Sequence, residues 1–600
     1  VAVDFGTSTM LVAVRTSEED PDPTIPIGDV DPWMPSLIGV DDQGEFQYGE
    51  AAERLRPDQV VPSIKTLLGA NEQTVDIGRQ GAGGPPPRID DLIQGLFEEA
   101  LHQARARAGP DVRPYLESGF KVHLCCPANW TAEPRRRLGE IAKRAGLKAS
   151  PDEIVDEPIA AGVSWVMGQE GAGEVPEGRT LVFDYGGGTL DVAVLEVARP
   201  DGAAHPEITV LAADALLYAG DSLDERISDD LKPSLTSSGW SGEQDEVEKN
   251  QLTLRAARDL KHALTDTDEA VVRIPGFDRP VPYTREQLEA AFRPQLEKAM
   301  EFVFNVIKMS MAREHHADYG LIRSLEEERL ADEIHHILLA GGMSRIPRVS
   351  KELGLRLHER FVVDPGLVDP EKSVVSGLTF KDAVSGLNLH RPGFGFIAEY
   401  LNAQGEKIGE QVLYEAFSPL YKKYEPFTQL TDLGVRVNLN PPADAHSVKI
   451  ICRDILDQEV PLRLEGQDTN GIPLELALQH SYQSPQFFKL FMDGRIIVSA
   501  KHHVRFWIPR WPFLRDGLAA EVRAQTEPPR PRLWDNITLP EDLTGVVDPG
   551  QMVEGVLSGP NPNGQWHWRP LDGTGTSIPV PPALVDPLWT SADKVRLRIR

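Results

Sequence analysis

Cysteine is nearly absent from this chain. The three present, Cys125, Cys126 and Cys452, are too few for a disulfide framework, and a reducing, cytoplasmic compartment is expected. Cys125 and Cys126 are adjacent in the apolar run KVHLCCPANW. On a strand their side chains point to opposite faces, so they read as small buried hydrophobes, not a metal or redox site. Positive charge is also scarce: 62 lysines and arginines stand against 92 aspartates and glutamates, a net charge of −30. Such a chain repels phosphate backbones and anionic lipid, which argues against nucleic acid or a membrane as partner. No apolar run approaches membrane-spanning length and no signal-peptide pattern occurs, so neither insertion nor export is expected. Val1 already falls inside a strand pattern, so a few native residues are expected before it. No repeat of solenoid length appears. The Walker-type phosphate loop is missing too: GRQGAGGPPPRID, Gly78 to Asp90, is glycine-rich but reads as a surface loop. The doublets His315–His316, His335–His336 and His502–His503 lack metal-ligand spacing and read as surface residues.

What remains is an ordinary globular composition, 40% hydrophobic and 26% charged. The length suggests roughly two to four domains. Up to about residue 385, apolar runs such as KVHLCCP, TLVFDYG, ITVLAAD and HHILLAGG alternate with helical patterns, as in parallel sheets covered by helices. Helices are expected from Asp90 to Ala108, from Ala132 to Ala145, and from Thr284 to about Arg313, the last opening on the capping-box pattern T-R-E-Q. The run Arg135 to Arg137 reads as a solvated helix face, and polar, acidic Asp230 to Asn250 as an exposed loop or insertion. Beyond Ser385, short alternating segments (SVKIICRDI, PLRLEGQ, RIIVSAK, HVRFWIP) read as a β-rich sandwich or barrel-like module. TEPPRPRLW, Thr526 to Trp534, reads as an extended linker before a small β appendage. The expected domains are 1–385, 386–525 and 526–600.

Two segments carry chemistry. VAVDFGTSTMLVAV (Val1 to Val14) and LVFDYGGGTLDVAVLEV (Leu181 to Val197) each read as a strand bearing an aspartate, a Gly/Thr-rich turn and a second strand. Glycine turns admit phosphate oxygens to backbone N–H groups where a Cβ would clash, and hydroxyls add donors. Carboxylates hold Mg²⁺ mainly through its retained waters. Asp4 with Gly6, Thr7, Ser8 and Thr9 forms one such set; Asp184 with Gly186, Gly187, Gly188, Thr189 and Asp191 forms the other. Two hairpins of this kind can close on a triphosphate from opposite sides. In a third segment, ILLAGGMSRIPRV, a strand leads to Gly341, Gly342 and Met343, whose backbone suits a flat ligand on which Arg345 stacks.

With IVDEPIAAGVSW at Ile154 to Trp165, these segments resemble the actin-like (ribonuclease H-like) α/β ATPase fold, in which two lobes flank a nucleotide cleft. They resemble in particular the nucleotide-binding domain of seventy-kilodalton heat-shock (DnaK-type) chaperones. GGGTLDV and GGMSRIP favour that branch over MreB-type actins. SIKTLLG matches the segment bearing the family's catalytic lysine, and CPANWTAEPRRRLGEIAKRAGL its proline-centred strand and helix. The likeness covers about the first 385 residues. It implies a slow ATP hydrolase with ATP/ADP and Mg²⁺ as ligands. Lys65 and Thr189 would then touch the γ-phosphate, Asp4 and Asp184 would orient Mg²⁺ waters or the attacking water, and Asp191 and Glu157 would complete that shell. Apart from the resemblance, Glu157 reads as a helix N-terminal acid. Gly220 would line the nucleoside pocket, Lys261 would meet the ribose and Thr265 the adenine. His262 stands where the family has an adenine-stacking arginine, and Arg258 where it has a ribose-binding glutamate, which leaves base preference open.

Between Gly377 and Phe396 there is no acidic-aliphatic linker of the family's kind, and no long helical lid or acidic tail is evident after it. Two functions therefore stay open. One is a DnaK-like chaperone ATPase that switches its grip on a protein client, with co-chaperones as further partners. The other is an ATP-binding regulatory or scaffold protein recruiting a dedicated partner through the β-rich region. A filament former shares the fold but fits the appended C-terminal mass least.

Overall fold

A computed structural model describes residues 1–17, 20, 22–61, 63–77, 85–117, 122–149, 153–171, 173, 175–199, 206–240, 246–274, 277–311, 325–358, 370–380, 391–419, 434–464, 474–478, 486–491, 494–500, 503–508, 533–534, 552–558, 565–570, 578–579 and 594–598.

Two sheets share one construction. In the first, the hairpin Ala2–Phe5/Thr9–Ala13 is antiparallel, with Asp4 opposite Leu11, and Ala2–Phe5 then pairs in parallel with His123–Cys126, which pairs in parallel with Ile154–Asp156. In the second, Gly178–Tyr185 and Leu190–Ala198 form the hairpin, with Asp184 opposite Asp191, and Gly178–Tyr185 pairs in parallel with His336–Ala340. Each sheet thus delivers an aspartate to the end of a strand beside a tight turn. Alternate residues of the same strands enter different cores, as the two-residue period requires. Ala2, Leu11, Ala13 and Cys125 of the first sheet and Val182, Ala193 and Leu195 of the second share one core with helices Glu157–Gly171 and Ser373–Leu378. The other face of the first sheet packs on Ile89–Arg107 and Ala132–Arg144. The second packs on Gly220–Ser237, Glu246–Asp266 and Arg285–Ser310. Cys125 and Cys126 fall in different cores, as their adjacency on a strand predicts.

The three expected helices form as Ile89–Arg107, Ala132–Arg144 and Arg285–Ser310, the last with a complete capping box between Thr284 and Gln287. Two expectations need correction. Arg135 is buried in an ion pair with Asp156, and Arg137 is buried against Asp90 at 2.6 Å; only Arg136 of the run is solvated. Asp230 to Asn250 is not a loop throughout, because helix Gly220–Ser237 runs into it and Glu246–Asp266 begins within it. His335 is exposed and His336 half-buried, in keeping with a surface doublet, and both also make contacts: the His336 ring lies 5.5 Å from that of Trp165, and His335 Nδ1 accepts from Arg179 N. His315, His316 and His502 lie outside the described residues, as do Gly78 to Gly84 of the glycine-rich loop and all but Leu533–Trp534 of the expected linker.

From Gly395 onward the described elements are strands, in three five-stranded sheets. Phe396 of the first and Phe488 of the second approach to 5.2 Å, joining their faces in a common core. Among the described residues no helix is long and apolar enough to cross a membrane.

Candidate functional site

The two glycine turns face each other. Gly6 N donates to Thr9 O and Gly186 N to Thr189 O, each at 2.9 Å, so the turns have the same closure. A Cβ on Gly187 would collide with Ser8 Oγ, and one on Gly188 would come within 2.7 Å of Thr7 Oγ1. Only bare backbone fits there, so the N–H groups of one turn stand close to the hydroxyls of the other.

Beneath the turns lies a buried ionic cluster. Lys65, 2% exposed, pairs with Glu157 Oε1. Burial alone would lower the Lys65 pKa, but Glu157 and neighbouring anions reverse this and hold it above the ordinary value. Cys125 Sγ donates to Asp4 Oδ1 at 3.1 Å. Burial, then repulsion by Glu157, pushes the Asp4 carboxyl up to about 6. Burial and the charges of Glu157 and Asp191 raise Asp184, and burial followed by Glu157 raises Asp191, which accepts from Ala128 N at 2.7 Å and from the Thr189 hydroxyl. Gly341 packs against Asp184. Asp4, Lys65, Glu157, Asp184, Thr189 and Asp191, far apart in sequence, therefore meet in one place. Glu157 pairs with Lys65, and Asp4, Asp184 and Asp191 lie within its electrostatic reach with raised pKa values, acids that a divalent cation would help to ionise. Among the described residues no three His, Cys, Asp or Glu side chains converge closely enough to hold a metal unaided. The donor set fits Mg²⁺, which keeps its waters and takes few protein ligands.

The nucleoside-side candidates are tied differently. Gly220 N and Asp221 N donate to the carbonyls of Gly186 and Gly187 at 3.2 and 2.7 Å. Lys261 pairs with Asp224 at 2.7 Å and donates to Gly220 O at 3.3 Å. Arg258 reaches Asp224 at 3.3 Å and Asp221 at 3.5 Å. The Thr265 hydroxyl donates to Lys261 O of its own helix, and His262 is exposed. Met343 is buried, Gly342 is not crowded, and exposed Arg345 pairs with Glu371 at 2.7 Å. Asp221 and Asp224 were not singled out from the sequence, and Cys125 was read there only as a small buried hydrophobe. Strand register, which no local pattern reveals, brings Cys125 to Asp4: Val3 stands opposite Leu124.

The loop after Cys126 links this cluster to the β-rich region. Ala128 bonds Asp191, and the Asn129 carbonyl accepts from Arg391 at 3.3 Å. Arg391, 4% exposed, also donates to Phe417 O at 2.9 Å and pairs with buried Asp214 at 2.8 Å. Ala132 N donates to Ala416 O, and the Arg135 guanidinium lies 4.2 Å over the Phe417 ring. Phe417 holds φ at +62°, unusual for so bulky a residue.

The Hsp70 protein family model matches residues 116–386. Similar curated proteins include the chaperone protein DnaK of Thermotoga petrophila, 25% identical over 399 residues, covering 64% of this chain and 59% of that protein. The DnaK of Thermotoga neapolitana is 26% identical with the same coverage. The chaperone protein HscA homolog of Mannheimia succiniciproducens is 25% identical, covering 63% of this chain and 56% of that protein. The chain spans less than two thirds of the length of these relatives.

Proposed function

We propose, on the premise that the match over residues 116–386 makes this an Hsp70-family protein, that the chain is a chaperone ATPase that binds and hydrolyses Mg-ATP to change its grip on a protein client. The observation that carries the reading is the single buried cluster of Lys65, Glu157, Asp4, Asp184, Thr189 and Asp191 under two opposed glycine turns. Cleaving a phosphoanhydride needs positioning and charge stabilisation more than covalent chemistry. Residues 6–9 and 186–188 would present N–H and hydroxyl donors to phosphate oxygens. Lys65, held by Glu157, would offset charge developing at the γ-phosphate and orient the attacking water, with Thr189 alongside. Asp4 and Asp184 would hold waters of Mg²⁺, which when bound neutralises phosphate charge. Gly220, Lys261, His262, Thr265 and the Gly341–Arg345 segment would flank the nucleoside.

In this reading residues 1–385 hold the nucleotide, residues 386–525 grip the client, and residues 526–600 form an appendage. The link from Asp191 through Ala128 and Asn129 to Arg391 supports coupling between the first two. The cytoplasm is the proposed location and co-chaperones are proposed partners. The test is the affinity of a fluorescent unfolded peptide for the full chain with Mg-ATP and with Mg-ADP. Weaker binding with ATP is expected; equal affinities would sink the coupled-chaperone reading. Lys65→Ala should keep nucleotide binding and lose about 10²-fold or more in turnover.

A further inference from the structure

Ser63 lies two residues before Lys65 with φ +49° and ψ +50°, a left-handed backbone that costs a non-glycine residue free energy. It immediately precedes helix Ile64–Gly69, where a serine ordinarily keeps extended backbone and caps the helix with its hydroxyl. Ser63 does neither. Its hydroxyl makes no capping bond and instead donates to Asp221 Oδ2 at 2.7 Å.

Asp221 stands in the first turn of helix Gly220–Ser237, where an acid is favourable against the helix dipole whatever else it does. Its contacts exceed that role. Asp221 N donates to Gly187 O of the glycine turn, and its carboxylate takes Ser63 on one oxygen and Arg258, at 3.5 Å, on the other. Ser63's neighbours Val61, Ile64 and Leu68 pack in one hydrophobic core, whereas Leu223 and Ile227, behind Asp221, pack in another. The Ser63–Asp221 bond therefore crosses between two separately packed bodies of side chains. It ties the residue that opens the Lys65 helix to helix Gly220–Ser237, whose Asp221 N is bonded in turn to Gly187 O of the turn that bears Thr189.

We infer that Ser63 and Asp221 are positioning residues for Lys65. The cross-core bond holds Ser63 in its left-handed conformation, that conformation directs the first turn of Ile64–Gly69, and Lys65 is thereby aimed at Glu157 and the aspartates. Arg258 steadies Asp221 from the opposite side. The inference rests on the reading of Lys65 as the group acting at the γ-phosphate.

The experiment measures steady-state Mg-ATP turnover and calorimetric Mg-ATP affinity on the full chain for S63G, S63A, D221A and the S63G/D221A pair, with K65A alongside. Glycine takes positive and negative φ alike, so S63G removes the hydroxyl without adding strain and leaves nothing to hold the left-handed conformation. S63G, S63A and D221A are each expected to lower kcat about tenfold, the loss of about one charge-assisted hydrogen bond, with Kd changed less than about twofold. The double variant should match the singles, because both remove the same bond. Native turnover in S63G with a dead K65A would overturn the positioning role alone. So would additive losses in the double variant, or a weakening of Kd that accounts for the whole loss. Native turnover in K65A would overturn the functional reading and the inference together.

Discussion

Asp4 shows how burial can set the charge of a single residue against the stability of the fold. Its carboxyl is pushed up to about 6 from 3.8, first by burial and then by Glu157, against the pull of Lys65 and the Cys125 thiol. An acid with a raised folded-state pKa binds more protons folded than unfolded. Its contribution to stability is therefore present below about pH 4 and lost as pH rises through 6, a swing of roughly 3 kcal/mol at most. Asp4→Asn should accordingly stabilise the nucleotide-free protein in EDTA at pH 7.5 by about 1–3 kcal/mol in urea unfolding, with little effect near pH 4. The same variant should lose Mg-ATP turnover. An unchanged or lowered urea midpoint at pH 7.5 would show that the buried charge is not a strain on the fold. The residue scale is also where the arginine run misled: consecutive helix positions point about 100° apart, so Arg135, Arg136 and Arg137 cannot share one face. Two of them found buried carboxylates.

Among elements, periodicity proved a better guide than composition. The segment after Asp230 is polar, yet Leu223, Ile227, Leu231 and Leu235 recur every four residues and bury one face of helix Gly220–Ser237. Helix Arg285–Ser310 was legible because its cap is local: Thr284 and Gln287 satisfy each other's backbone. Nothing local marks the contact between Glu157–Gly171 and Ser373–Leu378. There a Cβ on Gly377 would overlap the Ala160 carbonyl. Gly377→Ala should therefore cost about 1–3 kcal/mol or more in chemical unfolding. It should also lower turnover, since the helix it displaces begins at Glu157, the partner of Lys65. A variant with native stability would mean that the helices can part without cost.

For the whole molecule, the question is whether the β-rich region senses the nucleotide. Arg391 is buried against Asp214 and touches backbone from both the loop at Asn129 and the turn at Phe417. Removing one charge alone would break a buried ion pair from one side, which is costly, so both should go together. R391M/D214N is expected to keep nucleotide turnover, while the ATP-versus-ADP difference in unfolded-peptide affinity falls below about twofold, the loss of a coupling free energy. A preserved difference would place the coupling elsewhere.

The glycine turns, their neighbouring aspartates and the strand–helix alternation were legible in the sequence because each rests on neighbours within one short segment, and the family likeness because several such segments recur in order. Asp4 beside Gly6, Asp184 beside Gly186 and Thr284 before Gln287 are local facts, set by backbone sterics and hydrogen bonding. Tertiary structure alone decided which charges meet. Lys65 with Glu157, Arg135 with Asp156, Cys125 with Asp4, Ser63 with Asp221 and Arg391 with Asp214 are partners distant in sequence. Sheet register and shared hydrophobic cores bring them together, and burial then makes each pairing matter, because an unpaired charge out of water is costly.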